Sequence, residues 1–337
     1  MSKVKLYSVM ICAAVLAFCA TGSFVGAGET ISLKIGFVDA EAHSYVIATK
    51  WMDEELNKRT NGRLRLEIFH SGQLGNEREM YEGSQIGSID ICTVVNAVLS
   101  SFVPEMAVLD QPFLFDHQSE AQALINGKLG EMSAEKIRQQ GVHVVGWFES
   151  DFRNVYCNRP VNRIEDFKGM KLRVMENPIQ IGTWNAMGLI ATPMSPTEIF
   201  TALQQRTIDG AEGGILNILN SAFYEVTRHV VYTKHLYSFV AAGVSDRAWN
   251  RIPDDLKPIF LQVFKEGTDY QHHLAMELTD MATERLKKEH GVTFHTIDLE
   301  ALKQAIAPVM TGFRAQMDQT WLKVLEEELA VIKAKRK

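Results

Sequence analysis

From residue 31 onward, stretches with a two-residue apolar period alternate with stretches of helical period, and this alternation most restricts the fold. Ile31, Leu33, Ile35 and Phe37 are spaced as on a strand, and Leu64–Phe69 and Val142–Phe148 also read as strands. Ile89–Val95 is apolar nearly throughout, which predicts a strand covered on both faces. Between these, Tyr45–Thr60 spaces Ile47, Trp51 and Leu56 for a helix closed by Asn61-Gly62. A loop from His70 feeds a helix reaching about Ile86, and Gln118–Gln140 is helical. The segment from Phe102 to Phe115, punctuated by proline and rich in aromatics, predicts a loop packed on the core. Such alternation predicts an α/β fold around a largely parallel sheet.

The second half continues the pattern. The chain is expected to change direction over Glu149–Asn154 and then to form short strands at Val155–Cys157 and within Asp166–Pro178. A helix is expected near Ile179–Met187, and Val230–Val244 predicts two further strands. Asp255 to about His290 reads as one helix. With Asp255 as N-cap, Pro258 falls in the first turn, where its missing N–H forfeits nothing. A helix of that length spans roughly 50 Å, enough to brace two domains. A short strand at Val292–His295, two helices and a basic tail at Lys333–Lys337 close the chain.

The N-terminus carries Lys3 and Lys5, an apolar run from about Leu6 to Ala20, and small residues ending at Ala27. This order predicts a secretory signal peptide over residues 1–27, cleaved after Ala27, and a periplasmic protein. Leu16 precedes Cys19 as in a lipoprotein signal, but Phe18 is bulky where such sites take a small residue. Cleavage removes Cys12 and Cys19 and leaves Cys92 and Cys157, each in an apolar stretch that predicts a buried free thiol. It also removes two basic residues and no acidic one, taking the formal charge from −6 to −8. A nucleic-acid partner would call for a basic field and is excluded. The remaining length, about 310 residues, exceeds one usual core and predicts two domains.

Catalytic patterns are absent: there is no Gly-x-Ser-x-Gly elbow, no His-Glu-x-x-His helix and no phosphate-cradling glycine loop. His272 and His273 are adjacent on a helix, so their rings diverge by about 100° and cannot share a metal; they predict polar helix surface. His235 and His295 predict satisfied or exposed strand residues. In Asp166–Pro178, Leu172 and Val174 alternate with Lys171 and Arg173, which turns the apolar pair inward and holds Arg173 on the other face. Pro178 ends the run and places Arg173 near a strand end, where α/β sheets bind ligands. A permanently charged, planar guanidinium there suits a carboxylate, although a solvated strand face carries the same pattern. Ile208–Gly214 predicts a short strand and a glycine turn opening a helix at Ile215, whose free N–H groups would assist an anion.

These stretches together resemble the extracytoplasmic solute-binding proteins of tripartite ATP-independent periplasmic (TRAP) transporters. The resemblance rests on Gln73-Leu-Gly-Asn-Glu-Arg-Glu-Met80, Asp110-Gln-Pro-Phe-Leu-Phe115, Phe152-Arg-Asn154, Asp166–Val174, Thr192-Pro-Met194, Ala202-Leu-Gln204, Ile208-Asp-Gly210 and Tyr224-Glu-Val226, and on their order across the chain. It implies two α/β domains closing on a cleft, joined by β-strand hinges and a long bracing helix. The expected partition is 28–150 with 239–278, and 151–238 with 279–325; the long helix 255–290 spans both.

The resemblance further implies that Arg173 grips a ligand carboxylate, supported by Arg153, that Glu77 reaches the ligand, and that His43 and Asn96 lie in loops lining the cleft. Glu212 and Gly213 follow Asp209-Gly210 where the family often has Glu-Asn, so an asparagine contact is missing at Gly213; Asn217, one helical turn on, is the expected substitute. Pro196 replaces a phenylalanine, and Val98 stands where sialic-acid binders carry another arginine. The implied ligand is a small organic acid, with a sugar acid such as a uronate or aldonate favoured over a C4-dicarboxylate, keto acid or small sulfonate. The implied partners are one small and one large membrane subunit. No cofactor is called for, and the expected form is a monomer that is not an enzyme; a periplasmic sugar-acid enzyme and a receptor for a sensor kinase are the competing readings.

Overall fold

The computed structural model describes residues 30–335; the expected signal peptide and its cleavage site lie outside the described residues. The strands are β1 (Ile31–Gly36), β2 (Leu64–Phe69), β3 (Ile91–Val95), β4 (Val142–Cys157), β5 (Lys171–Val174), β6 (Ile190–Pro193), β7 (Gly210–Gly213), β8 (His229–Ser245) and β9 (Thr293–Thr296). They form one sheet in the order β2-β1-β3-β8-β4-β7-β5-β6, with β9 on β8. The α/β class is as expected, but the sheet is not largely parallel. Parallel ladders at the two ends (β2-β1-β3 and β7-β5-β6) are joined by antiparallel pairs of β8 with β3, β8 with β4 and β4 with β7.

The centre of the sheet explains this. β4 and β8 are 16 and 17 residues long, about 55 Å each at a strand's rise, and pair with one another along most of that length. The expected division of Val230–Val244 into two strands is therefore corrected, since β8 is one strand. The change of direction expected over Glu149–Asn154 falls at register shifts between Glu149 and Phe152 and between Arg153 and Val155, but β4 continues through it to Cys157, because a bulge adds local twist without ending the strand. These are the stretches from which Ser150 and Arg153 emerge.

Helices cover the sheet. His43 starts the helix Ser44–Arg59, and Asn76 with Glu79 makes a reciprocal cap for Glu77–Gln85. The single helix expected over Gln118–Gln140 is two, Gln118–Ile125 and Lys128–Arg138. Glu328 accepts hydrogen bonds from the N–H groups of Lys128 and Leu129 at 2.8 Å each. A Cβ on Gly127 would lie 2.4 Å from the same carboxylate, so glycine lets a distant acid start the second helix. The proline-punctuated segment contains a 3-10 helix, Pro104–Asp110. The long helix runs from Lys257 to Lys288, with Leu256 rather than Asp255 at its N-cap and Pro258 in its first turn. Asp255 instead holds Arg63 through two hydrogen bonds.

The core divides. One large cluster joins β1–β3, the neighbouring parts of β4 and β8, the first third of the long helix and the buried face of the last helix, Gln319–Ala334. Two smaller clusters gather around β5 and β7 with the remaining parts of β4 and β8. Cys92 and Cys157 are free and buried.

Candidate functional site

The C-terminal ends of β1, β3, β5 and β7 and the bent middle of β4 and β8 converge on a cavity of about 90 Å³. Strand ends expose loops and leave side chains free of the ladder, which is why α/β sheets place their sites there. β5 pairs with β6 and β7 through Arg173, opposite Thr192 and Ala211. Leu172 and Val174 enter the apolar cluster beneath, and Arg173 turns the other way into the cavity, as the alternation predicts.

Arg173 is 2 % exposed. Its Nε donates to the Met194 carbonyl at 2.9 Å, and its Nη1 lies 3.7 Å from Glu212 Oε1, too far for a hydrogen bond. Burial pushes its pKa down, against the opposing pull of Glu212, yet a guanidinium remains charged at any physiological pH. Arg153 is placed differently. Its Nε and Nη2 donate to the two carboxylate oxygens of Glu212 at 2.5 and 2.8 Å, and Nη2 also donates to the Glu212 carbonyl at 2.9 Å.

Glu212 is 1 % exposed and is this pair's anion. Burial pushes its carboxyl up, but Arg153 and His235 outweigh burial and hold it well below the usual carboxylate range. His235 sits 3.2 Å from Glu212 Oε2 through Nε2 and 2.8 Å from the Thr233 hydroxyl through Nδ1. Burial lowers the His235 pKa, so the neutral ring donates from Nε2 to Glu212 and accepts at Nδ1 from Thr233. Glu212 borders the cavity, but Arg153 and His235 occupy its oxygens.

Glu77 also lines the cavity; its Oε1 accepts the Val95 N–H at 2.8 Å. Burial pushes its carboxyl up to about 7, despite Arg173 and Arg153 nearby. Asp39 lies beside it in the lining and accepts from Asn217 Nδ2 at 2.9 Å. Asn217 therefore reaches the cavity as expected but is engaged across it. Gly213 also lines the cavity; a Cβ there would make ordinary contacts of 3.6–4.0 Å with Tyr156 and Arg153. Pro196 completes that side.

Two expected lining residues are corrected. Asn96 is fully buried behind β3: its Nδ2 donates to Asp110 at 2.6 Å and its Oδ1 accepts from the Phe239 N–H at 2.9 Å. Both amide groups are spent on bracing, and Asn177 Nδ2 holds the other Asp110 oxygen at 2.7 Å. His43 is 2 % exposed and caps its own helix, with Nδ1 accepting from the Tyr45 N–H at 3.4 Å and Nε2 3.9 Å from Asp39; its neighbours, not its ring, face the cavity.

At the glycine turn, Asp151 accepts the Ile215 N–H at 2.7 Å, so the first N–H of the helix Ile215–Asn220 is already engaged from β4. Among the histidines, His272 is not plain helix surface. It lies 3.1 Å from Glu149 Oε1 and 3.4 Å from the Trp147 carbonyl.

Sequence reasoning missed Asp39, Tyr45, Ser150, Tyr156 and Ser238, which also line the cavity. Ser238 is 1 % exposed, and its hydroxyl has no hydrogen-bond partner among the described residues. The only sequence signal for these positions is their place at or beyond strand segments. Chemically, the cavity offers one guanidinium with no carboxylate hydrogen-bonded to it, carboxylate and hydroxyl acceptors in the same lining, and apolar walls from Val38, Met175 and Phe223.

Residues 35–316 match the sequence profile described as bacterial extracellular solute-binding protein, family 7. The 2,3-diketo-L-gulonate-binding periplasmic protein of Escherichia coli K12 is 28 % identical over 276 residues, covering 82 % of this chain and 84 % of that one. The sugar acid binding protein of Advenella mimigardefordensis, crystallised with galactonate, superposes with a TM-score of 0.87 at 26 % identity and covers 90 % of this chain and 99 % of that one. A TRAP periplasmic solute binding protein from Polaromonas, bound to D-erythronate, gives 0.83 at 32 % identity, covering 91 % and 99 %.

Proposed function

Because the chain belongs to the bacterial extracellular solute-binding proteins of family 7 and is of the TRAP type, we propose that it captures a sugar acid, an aldonate or uronate, in the cavity around Arg173. The observation that carries this is Arg173 itself. It is a fully buried guanidinium whose hydrogen bond among the described residues is to one carbonyl, beside a carboxylate that Arg153 already engages. An isolated buried charge is costly unless something pairs with it, and a carboxylate accepting two parallel N–H bonds is the matched partner. Asp39 and Glu77 would accept from sugar hydroxyls, and Ser238 would regain a partner. The relatives named for galactonate, D-erythronate and 2,3-diketo-L-gulonate support the same ligand class.

In this proposal, segments 28–150 with 239–278 and 151–238 with 279–325 approach one another about the bulged middle of β4 and β8. The last helix, Gln319–Ala334, is the exception: its residues up to 325 fall in the second group, but it packs on the first and moves with it. The ligand favours closure only in so far as it binds the closed form better, and exclusion of water strengthens its ion pair. The closed protein then hands the acid to the small and large membrane subunits from the periplasmic side; no bond is made or broken.

A thermal-shift screen tests this with D-erythronate, galactonate, glucuronate, a keto acid and a sulfonate. Ligand at 100 times its dissociation constant adds about 2.7 kcal/mol, which raises the melting temperature by several degrees. A shift with at least one sugar acid, and its recovery unchanged after long incubation, is the expected result. No shift with any of them, or conversion of the acid, would refute it.

A further inference from the structure

We propose that the site admits one carboxylate and rejects a second, so that aldonates and uronates bind while aldarates and C4-dicarboxylates do not; this rests on the sugar-acid reading. Two arginines line the cavity, but they do not offer two anion positions. Arg153 gives Nε and Nη2 to the carboxylate of Glu212 at 2.5 and 2.8 Å and Nη2 also to its carbonyl. That pair is neutral before any ligand arrives. Arg173 is the one of the two with no carboxylate hydrogen-bonded to it.

Among the described residues, no lysine or histidine stands in the cavity lining to meet another anion. Arg78 borders an adjoining void of about 10 Å³ and donates to Ser101 at 2.9 Å, outside the main space. Asp39 and Glu77 share the lining with Arg173. A ligand hydroxyl donates to such acceptors, whereas a second carboxylate meets oxygens of its own sign with water excluded, where like charges repel most strongly.

The experiment uses matched ligands on the mature protein, measured by calorimetry at pH 8. The probes are galactonate and galactarate, erythronate and tartrate, and the monoamide of galactarate, which has the size of the diacid without its second charge. The expected result is that in at least one pair the monoacid binds and its diacid is at least 100-fold weaker, with the monoamide within tenfold of galactonate if galactonate is the ligand. In the double variant Asp39→Asn, Glu77→Gln the gap between monoacid and diacid narrows at least tenfold. Diacids within tenfold of their monoacids would overturn the proposal and leave the sugar-acid reading standing. A monoamide as weak as the diacid, or a gap unchanged in the double variant, would overturn the charge argument. Failure of every acid to bind overturns both.

Discussion

Arg153 and Arg173 carry the same charge in the same cavity, yet their partners give them opposite roles in stability. Arg153 neutralises Glu212, so Arg153→Met would strand a buried carboxylate; breaking such a pair costs about 3–5 kcal/mol. Arg173 has no such partner of its own. Arg173→Met therefore removes a desolvated charge, and the ligand-free variant should melt no lower than the parent and up to a few degrees higher. Its ligand-induced shift should vanish, a loss of at least 100-fold in affinity. Melting both variants with and without ligand checks the contrast; an Arg173 variant as unstable as the Arg153 variant would show that Arg173 is structural. Arg173 was legible because alternation on one short strand fixes which way it turns. The pairing of Arg153 with Glu212 was not, since 59 residues separate them and only the register of β4 on β7 brings them together. The same limit applies to His43 and Asn96, polar residues beside the site whose side chains cap and brace.

At the level of elements, the site depends on a strand meeting a short helix at Gly213-Gly214. The two glycines differ. Gly213 has room for a Cβ, whereas a Cβ on Gly214 would fall 1.8 Å from Asp151 Oδ1. Gly214→Ala must therefore push the Asp151 carboxylate off the Ile215 N–H, losing a helix-start hydrogen bond of about 0.5–2 kcal/mol and shifting Asn217 one turn on. The expected outcome is a melting temperature lowered by a few degrees and a three- to tenfold loss of ligand affinity, with Gly213→Ala much milder in stability. Equal melting of the two variants would refute this account. The glycine pair was visible in the sequence as a turn before a helix. That the first N–H of that helix is already engaged was not, because the acceptor comes from the bulge of β4. The break at Gly127 has the same cause, a carboxylate supplied by Glu328 two hundred residues away.

For the whole molecule, burial sets a pH dependence. It pushes the carboxyls of Glu77, Asp110 and Glu149 up to about 7, so each holds its proton more tightly in the folded chain than in the unfolded one. Stability from these groups is complete below the ordinary carboxyl range and is lost as pH rises through about 7, by up to about 1.4 kcal/mol per group per pH unit. His229, His235 and His272, whose pKa values burial lowers, act in the opposite sense, mainly below about 6.5. Glu212, held low, matters only in acid. Between pH 6.5 and 8 the loss from the carboxyls outweighs the remainder of the histidine gain, about 0.4 kcal/mol per ring, and the ligand-free melting temperature should fall by a few degrees; a flat or rising profile over that window would contradict it. The sequence by itself determined the α/β alternation, the long helix with its early proline, the solute-binding family and the strand end carrying Arg173, because these follow from local periodicity and ordered motifs. Only the tertiary structure decided that β4 and β8 run unbroken through the bend, that Arg153 pairs with Glu212, and that Asp39 and Glu77 share the cavity with the remaining cation. Those depend on strand register and burial, which bring together groups that no local pattern links.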